Sequence, residues 1–248
     1  MKATQLTTLV LALSLAFDPA AASAQACPAG RACFYVPPAM PVVPGYTVGW
    51  DMVLASPRGT ITGTWRAGTG AATAFSVGAG VPVVIPLGAA LGTAAAYDAA
   101  ETRGIFIEAS SSELIVDHRE SSGPWQSSST VKASSYSLGT RFRLGGYNLN
   151  NPLDPETGFD YASIYAPFGA TVTLTAPPGA TLPFWSASAT ATLVVVLAAG
   201  ETYIARTLPG LTCTREIDAA LVTSTDPISV DTGGRGWSGT CGVGAGCG

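Results

Sequence analysis

The single histidine of the chain, His118, stands in "VDHRE" between Asp117 and Glu120, the one place where an acid, a base and a possible relay adjoin. A Ser-His-Asp hydrolase needs a serine oxygen within reach of the imidazole and a carboxylate to orient the ring. The sequence contains "GWSG", which lacks the glycines flanking serine by two that define a nucleophile elbow. Asp117 with Glu120 could instead serve glycoside hydrolysis, which requires two carboxyls roughly 5 to 9 Å apart across a sugar cleft. Neither arrangement has the supporting residues, and "VDHRE" reads more simply as a solvated strand end. The chain is therefore expected not to be an enzyme, with a secreted hydrolase as the least favoured reading.

Two further groups bear on ligands. "NLNNPLDPETGFD" is rich in side-chain oxygens, so Asn150, Asp154, Glu156 and Asp160 are candidate calcium ligands, although Pro152, Pro155 and Gly158 also suit a plain turn and the spacing is not that of an EF-hand. No other cofactor is expected. Five tryptophans supply aromatic faces of the kind that stack on sugars. Most tryptophans of a β protein are partly core. Trp125 and Trp237, expected in loops, are the better exposed candidates for a ligand.

These residues stand in a chain of 248 with 11% charged side chains and a net charge of −4. No basic face is available to collect phosphates, so nucleic acid is excluded as a partner. Lys2, the run "LTTLVLALSLAF" and the small residues of "DPAAASAQA" have the form of a signal peptide over 1–24, cleaved after Ala24. The apolar run is too short to cross a bilayer, so no membrane span is expected in the mature chain. A secreted or cell-surface location follows. In that setting five cysteines suggest disulfides. "CPAGRAC" and "CGVGAGC" share one spacing, so Cys27 with Cys33 and Cys241 with Cys247 are expected to close small rings, each stabilising by about 2 kcal/mol. The two pairs lie at opposite ends and lack zinc-knuckle spacing, which argues against a four-cysteine zinc site. Cys213 is left without an assigned partner.

The body shows period-two alternation, clearest in "TITGTW" and "ATVTLTA", where Val172 and Leu174 face one way and Thr171, Thr173 and Thr175 the other. "SPRG", "APPGA" and "STDP" punctuate the strands. "TITGTW" recurs as "TVTLTA", and "IFIEASSSELIVD" as "AALVTSTDPISVD", roughly 110 residues on. The pattern predicts an all-β protein of two repeated antiparallel sandwich-like units. The divisions are an N-terminal segment over 25–58 with the Cys27–Cys33 loop, a first unit over 59–135, and a second over 136–248 ending in an incomplete Gly/Cys loop. Each unit is expected to close with a two-strand ribbon, turning at Ser111 to Glu113 and at Asp226-Pro227.

"SLGTRF", "ASIYAPFGATVTLTA", "VLAAGETYIART" and "IDAALVTSTDPISV", in that order, resemble the N-terminal domain of the immunoglobulin G Fc-binding protein family. "RGIFIEASSSELIVD" is similar to that family's preceding ribbon. The resemblance implies a non-catalytic extracellular adhesion or matrix module, of a type found in mucus-associated animal proteins and in bacterial surface proteins. It also implies that further strands follow the cysteine loop, so that the chain is truncated at its C-terminus. The expected partner is an extracellular protein or glycan; a carbohydrate-binding module is the alternative.

Overall fold

The computed structural model describes residues 25–39, 49–87, 96–122, 125–145, 159–182, 190–207, 217 and 219–235. Alternating apolar residues generate antiparallel strands throughout, arranged as two face-to-face sandwiches. In the first, one sheet has the order β1 (Ala32–Val36), β6 (Ile105–Ala109), β3 (Ile61–Ala67), β4 (Thr73–Val77). The other has the order β5 (Val83–Leu87), β2 (Gly49–Ala55), β7 (Ile115–Ser122), β8 (Trp125–Val131). Segment 25–58 thus supplies β1 and β2 to these sheets. Phe34, Met52, Leu54, Ile105, Ile107 and Val116 fill the space between them.

The second sandwich is built around β14 (Leu221–Arg235), whose two halves belong to different sheets. Its first half lies between β9 (Gly139–Arg143) and β11 (Ala170–Thr175), with β12 (Thr192–Leu197) outside β11. Its second half pairs with β10 (Phe159–Ala166), which pairs in turn with β13 (Glu201–Arg206). The expected alternation holds in β11, where Val172 and Leu174 are fully buried and the threonines between them are not. The repeat is one of topology and register. Gly63 faces Ala109 as Leu174 faces Val222, and Val53 faces Asp117 as Ile164 faces Val230.

The expected two-strand ribbons do not form. β6 and β7 pair in opposite sheets, and a bend at Ser111, where the Leu114 amide donates to the Ser111 carbonyl, carries the chain across. In the second unit Asp226 and Pro227 lie inside β14, at the register break between Thr223 and Ile228. A proline has no amide to give a ladder, so pairing lapses there and the strand turns the corner into the other sheet. Ser224 Oγ donates to the Asp226 carbonyl and Thr225 Oγ1 to the Asp226 carboxylate, which hold the corner locally.

β10 joins the two sandwiches because it is buried on both faces. Ala162, Ile164 and Ala166 enter the second core, while Tyr161 reaches the first. Ser163 Oγ donates to the Pro38 carbonyl at 2.7 Å, and Tyr165 packs edge-on against Tyr35 at 5.9 Å. Beside it, β13 sends Ile204 into the first core and exchanges backbone hydrogen bonds with Glu101 through Thr202. Two glycines make this approach possible: a Cβ at Gly104 would lie 2.8 Å from the Tyr165 ring, and one at Gly233 would lie 2.7 Å from the Tyr161 hydroxyl.

Gly104→Ala and Gly233→Ala are each expected to destabilise the protein by about 1–3 kcal/mol through overpacking. Denaturant unfolding reads this directly; a midpoint unchanged from wild type in both variants would mean that the tyrosines do not rest on the backbone.

Candidate ligand-binding surface

The parity of β7 places the residues of "VDHRE". Val116 and His118 point into the first sandwich and Asp117 to its outer face. His118 is therefore not at a solvated strand end, as the sequence suggests, but 3% exposed, with its ring 5.0 Å from that of Trp50. Its Nε2 has no hydrogen-bond partner among the described residues. Burial disfavours the imidazolium and pushes the pKa down to about 4. Asp117 accepts from Thr130 Oγ1 at 2.8 Å on the opposite face, so strand geometry separates the acid from the base. Glu120 stands opposite Trp50 in the β2–β7 ladder.

Of the tryptophan and calcium-ligand candidates, Trp125 and Asp160 lie among the described residues. Trp125 is the first residue of edge strand β8, opposite Ser122, rather than in a loop, because 125–131 continues the antiparallel sheet beyond β7. Trp237 lies outside the described residues, as do Asn150, Asp154 and Glu156. Asp160 is fully buried in β10, where its carboxylate accepts from the Ile217 amide at 3.3 Å and its backbone amide donates to Thr207 Oγ1 at 2.9 Å. Those contacts tie β10 to the segments around it and give Asp160 a structural part. Among the described residues no group of three or more His, Cys, Asp or Glu side chains is placed to hold a metal ion. Cys27 and Cys33 form a disulfide with a Cα separation of 5.6 Å. Cys213, Cys241 and Cys247 lie outside the described residues.

One exposed aromatic was not singled out by the sequence. Tyr136 sits on α1 (Ser134–Ser137), the one-turn helix linking β8 to β9, and is 79% exposed. A depression of about 280 Å³ on one side has Arg58, Glu113, Ile115 and Lys132 in its wall. Another of about 220 Å³ is lined by Pro37, Lys132 and Ser137 together with Ser229 and Asp231 of β14. Arg58 and Glu113 approach to 3.5 Å across the first. The surface thus offers an aromatic face between two recesses that carry charges and hydroxyls. That combination suits a sugar ring or a polar peptide, since an aromatic ring supplies apolar area and the flanking groups orient the ligand. The sequence signal for it is faint: one tyrosine among serines in "SSYS", without periodicity.

Comparison of the chain with protein-family models, with curated proteins and with solved structures gives no match.

The buried imidazole has a consequence for stability. His118 binds a proton near pH 6.5 when unfolded but only near pH 4 when folded. Over that interval the unfolded chain holds more protons, so stability rises with pH and is lost as pH falls from about 6.5 to about 4, by up to about 3 kcal/mol. His118→Leu should flatten this part of the profile. Parallel wild-type and variant profiles between those pH values would show that the ring is hydrated.

Proposed function

We propose that the protein is an exported, non-catalytic adhesion or binding module of cell surfaces or extracellular matrix, and that it contacts its partner through the Tyr136 surface. The observation that carries this reading is Tyr136 itself, a large aromatic side chain left 79% exposed between two recesses whose walls include charged and hydroxyl side chains. Exposed aromatics of this kind dominate recognition energetics because they contribute much area for little conformational entropy. The withdrawal of His118 from solvent, with Asp117 on the opposite face of the strand, supports a non-catalytic role. The leader-like sequence over 1–24 and the Cys27–Cys33 disulfide support export. The resemblance of its motif order to the N-terminal domain of the Fc-binding protein family favours an adhesion role, in a bacterial surface protein. The partner is an extracellular protein or a glycan.

A carbohydrate-binding module is the second reading, favoured by the tyrosine face flanked by recesses of about 280 and 220 Å³. Binding of the purified protein to a glycan array and to a panel of immobilised matrix and mucus proteins separates the two. In either case Tyr136→Ala is expected to weaken binding at least about tenfold, the effect of losing one anchoring aromatic. The unfolding midpoint should stay unchanged, because the side chain packs against little. Full binding by Tyr136→Ala would remove this surface from consideration.

A further inference from the structure

Gln25 is held by both sandwiches. Its backbone carbonyl accepts from the Tyr35 hydroxyl at 2.6 Å, its side-chain Oε1 accepts from the Tyr165 hydroxyl, and its backbone nitrogen donates to the Pro167 carbonyl at 3.1 Å. Both tyrosines are essentially buried, and Cys27 and Cys33 pack beside them, so the disulfide ring holds residue 25 against β1. The side-chain nitrogen lies beside Gly200, which has no side chain to crowd it. Removal of residues 1–24 would leave Gln25 with a free α-amine in this seat.

We propose that the seat converts the mature N-terminal Gln25 to pyroglutamate, with Tyr165 as the group that polarises the reacting amide. This inference rests on the proposed export and cleavage after Ala24. The α-nitrogen attacks Cδ and forms the lactam bond; the Cδ–Nε2 bond breaks, the proton lost from the amine passes to Nε2, and ammonia leaves toward Gly200. No oxidant or further reactant is needed. Negative charge develops on Oε1 in the tetrahedral intermediate, and the Tyr165 hydroxyl already donates to that atom. The Pro167 carbonyl orients the attacking nitrogen through its N–H. Burial raises the pKa of Tyr165 well above that of an ordinary tyrosine, and that of Tyr35 to about 12, so both remain donors at ordinary pH. The atoms of Gln25 held by hydrogen bonds, its nitrogen, its carbonyl oxygen and Oε1, all survive in the product. Only Nε2 is lost.

The test is mass spectrometry of the N-terminal peptide of the full chain after secretion from an exporting host, followed with time at pH 8. The expected result is residue 25 at the N-terminus, lacking one ammonia. Ring closure should be about a hundredfold slower in Tyr165→Phe, as for the loss of one oxyanion donor. Should that variant fold poorly, wild-type protein held unfolded in denaturant provides the second comparison, and it too should close slowly. Persistent free Gln25, or equal rates with and without the folded seat, overturns the inference and leaves export standing. An N-terminus at another residue, or an intact leader, overturns the inference and the cleavage reading together.

Discussion

The two-sided burial of β10 is the constraint on which the rest of the molecule depends. A strand of a solvated sandwich has one dry face and one wet face; "DYASIYA" has none that is wet, and its polar groups must therefore be satisfied inside. Ser163 answers with the Pro38 carbonyl, Asp160 with Thr207 and the Ile217 amide, and Tyr165 with Gln25. Each of these bonds reaches a different segment, so satisfying one strand ties the N-terminal region, the first sandwich and the second into one body. Gly104 and Gly233 belong to the same arrangement, because the rings of Tyr165 and Tyr161 lie where their side chains would be.

The strand-switching corners explain how two such similar units can be joined in this way. When a strand crosses from one sheet to the facing one, both of its halves contribute to a single interior, as Ala109 and Val116 do in the first unit and Val222 and Ile228 in the second. The corner also closes the end of the sandwich without a hairpin. Unpaired amides at such a corner would be costly, and the second unit places a proline there, which has none. The first unit solves the same problem with Ser111, whose Oγ accepts from the Glu113 amide.

What the sequence made legible follows from this geometry. The alternation of Val172 and Leu174 with threonines announced a half-buried strand, and the echo between "TITGTW" and "TVTLTA" announced the repeat, because both depend only on local pattern. The small ring of Cys27 and Cys33 was legible from spacing alone. The Asp226-Pro227 corner was misread because turns and strand-switching corners use the same residues, and only the distant partners β10 and β11 distinguish them. His118 was misread because its charged neighbours suggested water; continuing the Val116 parity by one step places it inside, opposite Met52. The double burial of β10 was equally hidden. Ser163 and Tyr161 look like the wet face of a strand until the other sandwich is present to receive them. Tyr136 was missed for the opposite reason: exposure is set by what does not pack against a residue, and no periodic pattern records that.

The position of Tyr136 links the joint to the surface proposed for recognition. One wall of its second recess comes from Pro37 and Lys132 of the first sandwich, and the other from Ser229 and Asp231 of β14. Ser229 stands directly opposite Tyr165 in the β10–β14 ladder, and Asp231 opposite Ser163. The residues that shape the recess are thus register partners of those that lock the sandwiches together. A ligand seated there would bind groups whose spacing is set by the joint, with little ordering cost, since both walls are fixed before binding. Loosening β10 would change the recess without altering any residue that lines it, so the shape of the proposed surface and the integrity of the Tyr165 contact are linked properties of one strand pair.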